Sequence, residues 1–371
     1  MDMIRSFLPV GQGAFYTEQF DDGTNVVYDC GSENGIRMIE EMIKSTFHKG
    51  DVIHAVFISH MHSDHMNGLE FLLKYCNVGT IYLPYLTPRE KQIATVVQEV
   101  SRNVTHFMTS FIIDPVDALE KYCRDHNKEM PRVKYVLPQD NESYSIDQIE
   151  RNIHHYIFPG TRISITKTKT ATNWVYIPFN LKNEERTKLF VDQLGKMEIN
   201  IEDSEHIRKV MRTQSGRTKI RKAYEAIPGG LNTNSLVVFS GPDPECDNES
   251  AYQSFGLAYR WWSYGYSMPS GCLYLGDFDA HTKVNYNLLE DNYTACWDNV
   301  GVIQIPHHGS KHNFNSRLLS KAHWFVISAG SENRYKHPHA SVLKEIIAHR
   351  KPCVWVTEKI DSIGQFLVQR I

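Results

Sequence analysis

Apolar and polar positions in this chain follow two alternating rhythms. Residues 4–10 are apolar-rich and end in the tight turn Gly11-Gln12-Gly13. Residues 25–29 (NVVYD) are a β-branched run stopped by Cys30-Gly31-Ser32, so the first 30 residues predict two strands. Ile36, Met38, Ile39, Met42 and Ile43 then recur at helical spacing. Residues 53–59 (IHAVFIS) predict a buried strand that runs straight into a polar loop, 60–68. An amphipathic helix at 69–75 and a strand at 80–84 follow. Strands alternating with helices are the sign of a layered α/β domain.

From about 86 to 230 the pattern changes. Helical stretches at 90–101 and 117–125 stand beside Thr/Lys-rich, strand-like pieces at 162–172. The α/β rhythm returns with strands predicted at 235–240, 272–275, 302–305, 324–328 and 353–357, and helices at 281–290, 315–321 and 340–349. The expected organisation is one split domain, 1–85 plus 231–371, interrupted by an α+β insertion, 86–230, that forms a mostly separate cap.

Composition removes several alternatives. Of 371 residues, 22% are charged and 41% hydrophobic, which excludes disordered, collagen-like and coiled-coil architectures. Forty basic and 43 acidic side chains leave a net charge of -3, so any contact with nucleic acid must come from a local patch. No apolar run approaches the roughly 20 residues of a spanning helix. Met1-Asp2-Met3-Ile4-Arg5 lacks the features of a signal peptide. Seven scattered cysteines without a CxxC pair suggest reduced thiols and a cytoplasmic protein.

The chemistry concentrates in His60-Met61-His62-Ser63-Asp64-His65, directly after the buried strand. A loop pinned at one end can point alternate side chains into a cleft. His60 and His62 can converge on one metal ion, and Asp64 and His65, after the turn, can reach a second about 3.5–4 Å away.

This His-x-His-x-Asp-His motif resembles the signature of the metallo-β-lactamase superfamily. Asp29 in Tyr28-Asp29-Cys30-Gly31, Asp277 in Leu275-Gly276-Asp277, and Pro306-His307-His308-Gly309-Ser310 match its further elements. Val10-Gly11-Gln12-Gly13, Asn234-Ser235-Leu236-Val237-Val238, His307-His308-Gly309-Ser310, and Asn333 with His337-Pro338 look like the metallo-β-lactamase domain of bacterial DNA-uptake competence proteins. Ala14 stands where that pattern usually has an acid. Asn232-Thr233-Asn234-Ser235 occupies the place of a histidine found in many superfamily members.

The resemblance implies an αββα sandwich holding two divalent ions, zinc or manganese, with Asp277 bridging them. It implies a hydrolase that uses a metal-bound hydroxide. The implied ligands are His60, His62, Asp64, His65, Asp277 and one of His307 and His308, which the sequence leaves open. Asp29 is either an outer partner of a ligating histidine or a turn former. Asp64, Asp277 and His337 are expected to be catalytic, with His337 contacting a phosphate or protonating a leaving group. Ser310 and Asn333 are expected to touch substrate. His54 is expected to be structural, the pair His154-His155 to hold no metal, and Asp279 to be a helix N-terminal charge.

Arg208, Lys209, Arg212, Arg217, Lys219, Arg221 and Lys222 put seven cations in fifteen residues. They read either as a phosphate-contacting surface or as a solvated helical face. On the first reading they face the cleft, and Arg217, Lys219 and Arg221 bind substrate. Thr166-Lys167-Thr168-Lys169-Thr170 reads as an exposed strand edge. The leading expectation is a phosphodiesterase or nuclease acting on DNA, RNA or a nucleotide. The alternatives are a lactam, thioester or lactone hydrolase, and a regulatory subunit with a structural metal whose insertion docks a protein partner.

Overall fold

The structure is a computed structural model that describes residues 2–100, 104–139, 155–165, 174–182, 184–227, 231, 235–246, 251–257, 260–261 and 268–370. The strands are β1 (Met3–Phe7), β2 (Gly13–Phe20), β3 (Asn25–Ser32), β4 (Val52–Phe57), β5 (Asn77–Pro84), β6 (Arg132–Val136), β7 (Tyr156–Ile157), β8 (Trp174–Phe179) and β9 (Val237–Pro242). They continue with β10 (Ala251–Leu257), β11 (Arg260–Trp261), β12 (Met268–Pro269), β13 (Gly271–Tyr274), β14 (Val300–Gln304), β15 (Trp324–Ser328), β16 (Cys353–Val356) and β17 (Gly364–Arg370). One sheet runs β11-β10-β17-β1-β2-β3-β4-β5-β6-β7, with β12 paired to β10. The other runs β16-β15-β14-β13-β9-β8. The first 30 residues thus hold a further strand, β2, beyond the two that the pattern predicts.

The sheets pack face to face. Phe7, Tyr16, Tyr28 and Phe57 of the first meet Val238, Cys272, Tyr274 and Val302 of the second in one buried cluster. Outside the first sheet lie helices Ile36–Thr46, Leu69–Tyr75, His106–Ile113 and Pro115–His126, which bury Ile39, Leu72, Phe111 and Leu119. Outside the second lie Lys283–Asn292 and Ala340–Ala348, which bury Leu289 and Ile346. This is the αββα sandwich that the resemblance implies. The described residues include no helix long and apolar enough to cross a membrane. All seven cysteines are free thiols.

Residues 86–230 differ from the single separate cap expected. Strands β6 and β7 extend the first sheet beyond β5, and β8 is the edge of the second. Among the described residues of this stretch, helices Pro88–Glu99, Glu184–Lys196, Ser204–Met211 and Gln214–Glu225 share a core of their own, built on Ile93, Phe190, Leu194, Ile207 and Ile220. The physical reason is the sheets themselves: each continues past the expected boundary wherever the chain offers another apolar strand. The Thr/Lys run 166–170 and the stretch 232–234 lie outside the described residues.

A polar network crosses the interior between the sheets. Arg5 is fully buried, and its Nε donates to Glu18 Oε1 at 2.8 Å. Tyr274 and Tyr176 donate to the two Glu18 oxygens at 2.8 and 2.6 Å, and Ser240 Oγ donates at 2.7 Å. Every member is partnered, the condition under which a buried ion pair is tolerated.

Candidate metal centre

The site lies where strand ends from both sheets meet. β4 ends at Phe57, and three residues on, His60 is buried with its Nδ1 2.9 Å from Ser59 Oγ. His62 is the N-cap of the short helix Ser63–Met66, which carries Asp64 and His65. From the second sheet, the turn after β13 delivers Asp277, whose N–H donates to Ser235 Oγ at 2.9 Å. Gly276 must be glycine: its φ is +52°, and a Cβ there would sit 2.6 Å from Ser59 Cβ. Gly31 is constrained in the same way, because a Cβ would meet the Asp64 carbonyl oxygen at 2.6 Å. The two glycines let the loops approach.

Three overlapping triads offer ligand atoms that lie within 4.8 Å of one another: His60, His62 and Asp277; His60, Asp64 and His65; and His65, Asp277 and His308. His60 Nε2 is 3.6 Å from Asp277 Oδ2, and His65 Nε2 is 3.3 Å from Asp277 Oδ1. His308 Nε2 reaches Asp64 Oδ2 at 3.2 Å while its Nδ1 bonds the Ser328 carbonyl at 2.7 Å. His307 stands in none of the triads; its Nε2 is 3.5 Å from Asp277 Oδ2 and its Nδ1 3.0 Å from Asn313 Oδ1. His307, His308 and Gly309 all have positive φ, of 49°, 54° and 81°. For the two histidines that conformation costs of order 1–3 kcal/mol each and persists only where the surroundings enforce it.

The electrostatics describe a cavity built for positive charge. Burial pushes the His60 imidazole well below its usual value, with His65 adding to the effect. His65 moves the other way: burial opposes its charge, but Asp277, Asp64 and Asp29 hold it well above normal. Burial likewise opposes ionisation of Asp277 and Asp64, yet neighbouring histidines, led by His307 and His65 respectively, keep both below the usual carboxylate range. His60 Nε2 is buried with no hydrogen-bond partner. An orphaned imidazole nitrogen beside convergent carboxylates is the arrangement a divalent cation completes. The donor set of imidazole and carboxylate suits zinc or manganese.

Asp29 is no simple turn former. It is fully buried with φ 56° and accepts from Ser59 N at 2.6 Å and Ser59 Oγ at 2.7 Å. Its Oδ2 also lies 2.7 Å from His65 Nδ1. That bond fixes the His65 ring and turns Nε2 toward the cluster.

A cleft of about 590 Å³ opens over these residues. Among the expected residues His62, Asp64, Asp277, His307, His308, Ser310, Asn333, His337 and Arg221 line it. His337 is mostly buried, and burial pushes its imidazole down to about 2, helped by His307 and His308. Asn333 has its amide engaged by the loop itself, donating to the carbonyls of Gly330 and His337 at 2.8 and 2.6 Å. Ser310 is buried, and its Oγ accepts from His312 N at 3.3 Å.

Arg217 and Lys219 do not line the cleft, contrary to expectation. On Gln214–Glu225, Arg221, Tyr224 and Glu225 share the inward face. Lys219 instead donates to the Met197 carbonyl at 3.3 Å, and Arg217 lies one turn farther out, exposed. Arg208, Lys209, Arg212 and Lys222 are exposed as well, and Lys209 pairs with Glu205 at 2.8 Å. Asp279 is not a helix-terminal charge. It binds Arg186 of the cap at 2.8 Å, and so ties cap to core two residues beyond Asp277. His54 is structural, with Nδ1 accepting from Asn25 N at 3.2 Å. His155 lies apart from every triad, and His154 is outside the described residues.

Sequence reasoning misses Tyr224, Glu33, Arg334 and Tyr335, all of which line the cleft. The Tyr224 ring is 5.9 Å from that of His62, and Tyr335 OH donates to Glu33 Oε1 at 3.1 Å. Arg334 and Tyr335 directly follow the Asn333 that the motifs mark; adjacency was the available signal. Nothing in the sequence links Tyr224 to His62.

The family model described as Metallo-beta-lactamase superfamily matches residues 12–140. No curated protein matches the chain significantly. Among solved structures, unliganded yeast PDE1 is similar at 10% identity and a TM-score of 0.45, over 99% of this chain and 100% of that one. Zinc-bound PqqB from Methylobacterium extorquens is similar at 9% identity and 0.42, over 96% and 98%. A long-form RNase Z from yeast is similar at 13% identity and 0.35, over 88% of this chain and 36% of that one. Likenesses this distant carry no argument about activity. The stretch that matches the family model includes the loop from His60 to His65.

Proposed function

We propose that this protein is a metal-dependent hydrolase acting on a phosphodiester. One observation carries the reading: His60, His62, Asp64, His65, Asp277 and His308 converge in overlapping triads at the floor of a cleft. His60, His62 and Asp277 would hold one divalent ion, and Asp64, His65 and His308 the other, with Asp277 reaching both. Such ions, zinc or manganese, supply an activated water and neutralise charge on a substrate oxygen. The chain's own side chains do the rest. Asp29 orients His65, Ser328 and Asn313 orient His308 and His307, and Ser235 holds Asp277 in place. In this reading His337, whose ring lies 5.4 Å from that of His307, contacts the phosphate or the leaving group. Arg221, which lines the cleft, is available to an anionic group of the substrate. The free cysteines fit a reducing compartment such as the cytoplasm.

The test is hydrolysis of bis-p-nitrophenyl phosphate by metal-stripped protein given manganese or zinc, beside a lactam reporter. The expected result is metal-dependent release of nitrophenol and no lactam turnover. Lactam turnover alone, or none of either substrate, overturns the phosphodiesterase reading.

A further inference from the structure

We infer that the substrate is a nucleotide-sized phosphodiester bearing one flat ring, and that Tyr224 is the specificity-determining residue that receives the ring. This rests on the hydrolase reading above and narrows its substrate class. The volume is the first argument. The cleft holds about 590 Å³, within the range of sites that enclose a small molecule. Helix Gln214–Glu225 supplies Arg221, Tyr224 and Glu225 to its wall.

Charge is the second. A site that holds a polymer strand tracks its backbone with a run of cations. Only Arg221 and Arg334 supply cations among the described lining residues, against Glu33, Glu225 and Glu332 beyond the metal cluster. Arg208, Lys209, Arg212, Arg217, Lys219 and Lys222, which could have made a track, are exposed and do not line the cleft. The charge of the described lining residues matches one phosphate and not a chain of them.

The third argument is the apolar end. Tyr224 lines the cleft with Val97, Val100 and Ile227, all from the cap and its flanks. Its ring stands at 75° to the ring of His62, 5.9 Å away, next to the metal cluster. One turn earlier, Arg221 is held by the Val100 carbonyl, to which it donates at 2.9 Å. Aromatic surface and guanidinium therefore sit three residues apart on one helical face, which suits a ring joined to a phosphate. A flat, apolar-faced ring gains from stacking on tyrosine whatever its edge pattern.

Equilibrium binding tests this without turnover. Adenosine monophosphate, the probe, is titrated calorimetrically into the metal-loaded full chain, with Tyr224→Ala and Tyr224→Phe beside it. Weakening of about ten-fold in Tyr224→Ala, with affinity restored in Tyr224→Phe, is the expected result. A 30-nucleotide single strand should not displace the probe, and charge reversal at Arg208 and Arg212 should change nothing. Probe affinity indifferent to Tyr224→Ala, or displacement by the single strand, overturns the inference. The two readings fail separately. Tyr224-dependent binding without any diester hydrolysis removes the hydrolase and keeps the ring site; hydrolysis with Tyr224-independent binding does the reverse.

Discussion

Asp29 shows how a residue that touches no substrate can govern the centre. Its carboxylate is saturated by Ser59 and by His65 Nδ1, so its role is to aim His65. Replacing it with alanine frees that ring without removing a ligand. Metal affinity should fall about 10–100-fold, read by competition with a chromophoric chelator, while the circular dichroism spectrum is retained. Unchanged affinity would reduce Asp29 to a backbone support. At this scale the site was partly legible. His60, His62, Asp64 and His65 stand within six residues, so their convergence needs only a strand and a turn. Asp277 and His308 were legible only through resemblance, since their distance in sequence says nothing about contact. Tyr224 was not legible at all. Its place depends on which face of a cap helix turns inward, and the helix packs by tertiary contacts around Ile220 and Ala223. Arg217, Lys219 and Arg221 read alike in sequence, and only Arg221 lines the cleft; Arg217 lies one turn before it, beyond the cleft.

Among elements, β2 and β8 show why the pattern can mislead. β2 carries Thr17 and Glu18, both buried, so its polar letters suggest solvent where the strand faces the interior. Glu18 is there because Arg5 and two tyrosines satisfy it. β8 contains Pro178, which lacks an N–H for a ladder. The strand tolerates it as the edge of its sheet. By contrast β15 and helix Leu69–Tyr75 matched the pattern closely, because one buries an apolar run and the other an apolar stripe. The Arg5–Glu18 pair yields a stability prediction. Arg5→Met leaves Glu18 buried without its cation and should cost about 3–5 kcal/mol in urea unfolding. Adding Glu18→Gln should return much of that loss, because no uncompensated charge remains. A cost below about 1 kcal/mol for Arg5→Met would mean that water reaches the pair.

For the molecule as a whole, the site is a seam. His60 to His65 follow β4 of one sheet, and Asp277 and His308 follow β13 and β14 of the other. Ions held there would join the two halves of the sandwich, and Arg186 of the cap is tied to Asp279, two residues from Asp277. This layered organisation was legible in the alternation of strands and helices at both ends of the chain. The division of residues 86–230 between sheets and cap was not, because short strands such as β6 and β7 declare themselves only by pairing. The central claim is that this seam is a two-metal centre with Asp277 reaching both ions. The most direct measurement is metal content per chain by inductively coupled plasma mass spectrometry, on wild-type and Asp277→Ala proteins purified side by side. The account predicts two zinc or manganese ions in the wild type, and fewer than one in a variant that remains folded. Wild-type protein that retains no metal after incubation with either ion, or an Asp277→Ala protein that retains both ions, would contradict it.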